Sequence, residues 1–146
     1  MSKEGKPQRD LRPVLRLAGE LHRRIGARLR EIGEERLSPS HGHVMVSLHK
    51  RGDLTPSEIA EATGKDISTV TSLVTKLVRL GYVSRRVNPQ DRRSALLNLT
   101  ETGRAHHTAV KRIIDETGQS LCNDIQDKDW DTFQRVLKTI GETLER

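Results

Sequence analysis

The chain has 146 residues, 33% of them hydrophobic and 2% aromatic, and carries a formal net charge of +6. That length supports one domain with helical arms. With Trp130, Tyr82 and Phe133 as its aromatics, though, the core must be aliphatic and thin, which points to help from a partner chain. No apolar run reaches membrane-spanning length, the first ten residues lack the apolar stretch of a secretory signal, and one cysteine, Cys122, rules out an intrachain disulfide framework. A cytoplasmic protein without membrane contact is expected. The cationic excess lies before residue 101, after which acids outnumber bases nine to seven. A basic body of this kind favours a polyanionic partner, most simply nucleic acid.

In chain order, residues 1–10 read as a flexible lead. Residues 11–36 read as a long amphipathic helix with Pro13 tolerated in its first turn; Leu17, Leu21, Ile25, Leu29 and Ile32 form one apolar stripe. Gly19, Gly26 and Gly33 fall seven apart along it, either for close packing against another helix or by tolerance on a solvated face. A second helix starts with Ser38 as N-cap and Pro39 at its first position and stops near Gly52. A third repeats that grammar, with Thr55 as cap, Pro56, Glu58 in the first turn, Ile59 and Ala60 facing inward, and Gly64 as terminator. A fourth begins at Asp66 or Ser68 and ends at Gly81, so that two short helices joined by a tight turn make a helix-turn-helix.

"YVSRRV" and "SALLNLT", joined by "NPQDRR", then read as a β-hairpin. Thr100 caps a long helix over residues 101–125, and Asp127 caps a last one. Trp130, Phe133, Val136, Leu137, Ile140 and Leu144 give that last helix an apolar face suited to a partner helix. The fold class is therefore mainly α (α+β): a winged helix-turn-helix over residues 37–100, flanked by an N-terminal helix (11–36) and C-terminal helices (101–146), in one structural domain.

On a helical wheel the fourth helix puts Val70, Leu73, Val74 and Leu77 on one side and Ser68, Ser72, Thr75 and Arg79 on the other, with Thr69, Thr71 and Lys76 flanking the polar stripe. Small hydroxyls permit close approach to base edges, and Lys76 and Arg79 supply charge to the phosphates, so this face fits a major groove. A solvated helix face is the plainer alternative. In the hairpin, Arg85, Arg86, Arg92 and Arg93 cluster where guanidinium groups reach a minor groove, and Asp91 is placed to orient a neighbour. Charge that blunts a sheet edge is the competing explanation there.

The run Leu54–Gly103 resembles the MarR family of bacterial winged helix-turn-helix transcription regulators. The resemblance is carried by "TVTSLVTKLVRLGYVSR" and by Asp91, Arg93, Leu97, Leu99, Thr100 and Gly103 of the wing signature. It implies a homodimer built from the N- and C-terminal helices, the fourth helix in the major groove, and Arg93, braced by Asp91, in the minor groove of a palindromic operator. It further implies a repressor released by a small-molecule effector, with no cofactor required. Where the family often has a basic residue and an acid, this chain has Ser72 and Thr75, which leaves the operator sequence open.

Two alternatives share the fold: a zinc-responsive regulator and a protein-interaction module without DNA specificity. The zinc candidates are His41, His43, His106 and His107, but Gly42 stands where the zinc-sensing branch has a carboxylate, and a structural or catalytic site needs three or four converging ligands. Cys122 reads as a buried, inert thiol. No nucleophile, base and orienter can be assembled, and the S-x-x-K match at Ser47–Lys50 stands alone, so no enzymatic activity is expected.

Overall fold

The computed structural model describes residues 10–34 and 37–144; the N-terminal lead up to residue 9, and Glu35 and Arg36, lie outside the described residues. In order the elements are α1 (Arg12–Glu31), α2 (Pro39–Arg51), α3 (Pro56–Thr63), α4 (Ile67–Arg79), β1 (Val83–Val87), β2 (Ala95–Leu99), α5 (Glu101–Cys122) and α6 (Asp127–Leu144). The chain divides into two compact units, one up to Ile113 and one from Ile114 onwards. The division falls inside α5.

Local chemistry sets most boundaries in the first unit. At α3 the capping box is complete: the Thr55 hydroxyl accepts from the Glu58 N–H at 3.3 Å and the Glu58 carboxylate accepts from the Thr55 N–H at 2.7 Å. Gly64 ends α3 in the left-handed region, φ 64°. Of the two proposed caps for α4 the chain uses Asp66, which accepts from the Thr69 N–H at 2.8 Å. Ser68 lies one residue inside the helix. Ser38 has the extended backbone of an N-cap, but its hydroxyl pairs with Nδ1 of His41 at 2.6 Å instead of capping the helix. Asp127 is the first residue of α6, not its cap; Gln126 precedes it, and its carbonyl accepts from the N–H groups of Asp129 and Trp130.

Val44, Leu48, Ile59, Val70, Leu77 and Leu97 form the centre of the core, where α2, α3, α4 and the hairpin meet. The hairpin is antiparallel, with Val83 opposite Leu99 and Val87 opposite Ala95. A third strand in miniature pins it down: Leu54 exchanges both backbone hydrogen bonds with Leu97, at 3.0 and 2.8 Å. Leu97 and Leu99 are buried, while four of the five β1 residues are exposed. The wing is therefore anchored through β2 and projects through β1.

At its base the wing is closed by a knot. The Thr100 N–H donates to the Tyr82 carbonyl at 3.0 Å, and the Thr100 hydroxyl donates to the Gly81 carbonyl at 2.5 Å while accepting from the Gly103 N–H at 3.0 Å. Gly103 is buried, and a Cβ there would run into the Tyr82 carbonyl. In α1, by contrast, nothing lies within 4 Å of a Cβ placed on Gly19. Leu29 of the α1 stripe is buried, Leu21 and Ile25 are half-buried, and Leu17 and Ile32 are exposed. In the second unit, α6 contains no buried residue; Trp130 and Phe133 pack at 5.4 Å between ring centroids.

Gly103→Ala is expected to destabilise the fold by roughly 2 kcal/mol or more, because backbone must move to admit the methyl group. Gly19→Ala should instead stabilise it by about 0.5–1 kcal/mol through helix propensity. Urea unfolding of the two variants, read at equal protein concentration, checks both signs.

Candidate nucleic-acid interface

The exposed side of α4 carries the row found on the helical wheel. Ser68, Thr69, Thr71, Ser72, Thr75 and Arg79 are exposed and Lys76 is half-buried, whereas Val70, Val74 and Leu77 are buried on the opposite side and Leu73 is half-buried. The hydroxyls are not loose. Ser68 and Thr69 donate to the two oxygens of Asp66 at 2.5 and 2.7 Å. Thr71, Ser72 and Thr75 donate to the carbonyls four residues back, those of Ile67, Ser68 and Thr71, at 2.8, 3.2 and 2.8 Å. The Ser68 hydroxyl, followed by the N–H and hydroxyl of Thr69, holds the Asp66 carboxyl far below the ordinary carboxylate range, so the helix starts on a fixed negative charge.

Side-chain hydrogen bonds also shape the wing tip. Asp91 Oδ1 accepts from the Arg93 N–H at 3.0 Å and from Arg93 Nε at 3.3 Å. The Arg93 side chain is 93% exposed, so the carboxylate fixes its base and leaves its end free. Asn88 Oδ1 accepts from the Gln90 N–H at 3.0 Å, and the Ser94 N–H donates to the Asp91 carbonyl at 3.0 Å, tightening the turn. Arg85, Arg86, Arg92 and Arg93 line an open cleft of about 390 Å³ together with Val87, Ser94 and Ala95.

The four arginines have different roles. Arg86 is drawn to Asp53, which also accepts from Asn98 Nδ2 at 2.6 Å, so its guanidinium braces the wing against the segment between α2 and α3. Among the described residues Arg85, Arg92, Lys76 and Arg79 have no ion-pair partner. The group missed by sequence reasoning is Asp53, which lies 33 residues from Arg86 in a turn without a local pattern.

The candidate zinc ligands go to separate partners. His41 pairs with Ser38, and burial followed by the charge of Lys76 pushes its pKa down; His43 is exposed. His106 is buried, with Nδ1 at 2.5 Å from Glu34 Oε2 and its ring stacked on Tyr82 at 4.4 Å. His107 stacks on His49 at 4.3 Å; its pKa is lowered by burial first and then by His49, His106 and Lys111. Among the described residues no three His, Cys, Asp or Glu side chains converge as a metal site. Cys122, expected to be buried, is half-buried at the end of α5. No helix is long and apolar enough to cross a membrane among the described residues.

Comparison with known proteins gives the same region prominence. The model of the MarR family matches residues 37–95. The chain is 29% identical over 98 residues to the HTH-type transcriptional regulator YcgE of Bacillus subtilis, a match that covers 67% of this chain and 62% of YcgE. To the multiple antibiotic resistance protein MarR of Salmonella typhimurium it is 28% identical over 98 residues, covering 66% of this chain and 68% of that protein. Among solved structures, the S. aureus MepR–DNA complex superposes with a TM-score of 0.75 at 22% identity, covering 93% of this chain and 99% of MepR, a likeness of fold.

Because the Asp66 pKa is depressed in the folded chain, its charged cap stabilises α4 fully above the ordinary carboxylate range near 4 and loses that effect as the pH falls below it. Asp66→Asn keeps an acceptor but removes the charge. The variant is expected to be less stable than the parent at pH 6, with the gap narrowing progressively from about pH 4 downwards; urea midpoints measured across that range decide it.

Proposed function

We propose that this chain is a MarR-family, sequence-specific DNA-binding transcriptional regulator. In this reading it acts in the cytoplasm as a homodimer, repressing from a palindromic operator until an effector releases it. The observation that carries the reading is the pairing of two cationic, exposed elements on one buried core. These are α4, with its row of hydroxyls ending in Lys76 and Arg79, and the wing tip, where Arg93 stands 93% exposed on an Asp91 brace.

The chemistry follows from the placement. A helix of small side chains enters a major groove without steric cost, and Lys76 and Arg79 meet the phosphate backbone. Arg93 reaches into the neighbouring minor groove, where narrow A/T-rich stretches concentrate negative potential, and Arg92 and Arg85 line the same cleft. Dimerisation supplies the second half-site: the apolar faces of α1 and α6 expose Leu17, Phe133, Val136 and Leu137, side chains that a single chain leaves in water. A small-molecule effector, with no obligatory cofactor, acts by favouring one spacing of the two recognition helices, and its coupling to DNA affinity is reciprocal.

Titration of a duplex selected from genomic fragments at several salt concentrations tests the assignment. Arg93→Ala is expected to lose about tenfold in affinity (about 1.4 kcal/mol), and Lys76→Ala to weaken all sequences alike while flattening the salt slope by about one counterion. Asp91→Ala should lose less than Arg93→Ala, because it frees the guanidinium without removing it. An Arg93→Ala protein that binds as its parent does at every salt concentration would contradict the wing contact. Salt-insensitive binding to no duplex, with capture of a protein partner by the same face, would favour an interaction module.

A further inference from the structure

The recognition face has a one-sided hydrogen-bonding character. A serine or threonine hydroxyl owns one proton and two lone pairs, and on α4 each proton is already committed: Ser68 and Thr69 to Asp66, and Thr71, Ser72 and Thr75 to carbonyls of their own helix. What these side chains turn outward is lone pairs and, for threonine, the methyl branch. The strong donors of α4, Lys76 and Arg79, both lie in its last turn. Ser72 and Thr75 are exposed, three residues apart in the middle of the helix, with no amide, carboxylate or guanidinium between them.

In the major groove, guanine offers two acceptors, N7 and O6, so an acceptor face meets it without a proton to share. Adenine offers the N6 amino donor and thymine a methyl group; cytosine N4 is a donor as well, but a G·C pair sets it beside two acceptors and offers no methyl, so the methyl contact is what separates the two pairs. Resting on the assignment of α4 as the groove-reading helix, we infer that Ser72 and Thr75 are specificity-determining residues that select A·T pairs at the half-site steps beneath them. Ser72 Oγ accepts from adenine N6, and the Thr75 methyl packs on the thymine methyl. A basic side chain at position 72 would reverse this choice, because it brings the donor that guanine requires.

The test uses the full-length protein and a duplex selected from a randomised pool, with base analogues placed at the steps that respond to Ser72 and Thr75 variants. Uracil for thymine removes the methyl, purine for adenine removes the N6 amino group, and 7-deaza-adenine removes N7 alone. Affinity is expected to drop on the order of fivefold for the first two and to stay unchanged for the third. Thr75→Ser should abolish the uracil effect and Ser72→Ala the purine effect, while each variant keeps its salt slope. Guanine enriched at those steps, or a penalty from 7-deaza-adenine with uracil neutral, overturns the inference and leaves DNA binding standing. Failure to enrich any duplex overturns the DNA-binding function, and this inference with it.

Discussion

The Tyr82 carbonyl and the Thr100 side chain form the joint on which the exposed face of α4 and the wing depends. Gly81 and Tyr82 follow α4 after its C-cap Leu80, and Thr100 follows directly on β2, so the two feet of the wing are tied by backbone and hydroxyl to the end of one helix and the start of the next. Gly103 makes the contact possible, since any side chain there would enter the carbonyl. Arg104 adds a bond from Nη1 to the Leu99 carbonyl at 2.7 Å. The end of α4, the wing and the first turns of α5 are thereby joined through one set of hydrogen bonds.

A second tie reaches the same body from α1. His106 lies in the second turn of α5, buried between the Glu34 carboxylate and the Tyr82 ring, and the Tyr82 hydroxyl donates to the same carboxylate at 3.4 Å. A buried imidazole held by a carboxylate is well satisfied, which gives this histidine a structural role in tying Glu34 to Tyr82. Its partner sits just beyond Gly33, whose left-handed backbone (φ 76°) ends α1 and turns the chain toward α5. The wing base is therefore bonded to the start of α5 and, through Glu34, to the segment that follows α1.

Short-range grammar was legible from the sequence. Thr55 with Glu58, Gly64, Asp66 and Gly81 act as the cap and stop signals that the residue types imply, because each interaction spans three or four residues and needs only local geometry. The apolar face of α4 was legible for the same reason. What could not be read is the set of long-range pairs. Asp53 with Arg86, Asn98 with Asp53 and Glu34 with His106 are separated by 33, 45 and 72 residues, and nothing in the local pattern of either partner announces the other. Arg86 shows the cost of that blindness, since it belongs to the arginine cluster by sequence but to the wing's foundation by contact. Ser38 and Asp127 show a smaller effect: a good capping residue at a helix start is an option, and His41 in one case and Gln126 in the other decide how the turn is satisfied.

Charge and burial together explain why so thin a core is sufficient for the proposed role. Much of the apolar surface that this sequence possesses is not spent inside the first unit: α6 buries none of its residues, yet presents Phe133, Val136, Leu137 and Leu144. Covering such side chains is worth about 1.5–3 kcal/mol each, and in a two-fold assembly every contact occurs twice, against an association cost of about 4–15 kcal/mol. A few pairs suffice, so in the proposed homodimer the same residues would serve stability and function. The arginines then need no core beneath them beyond the Leu54–Leu97 bridge that pins the wing. A projecting cationic hairpin is unfavourable for an isolated chain, through self-repulsion and exposed sheet edges, and it becomes favourable when a polyanion lies against it.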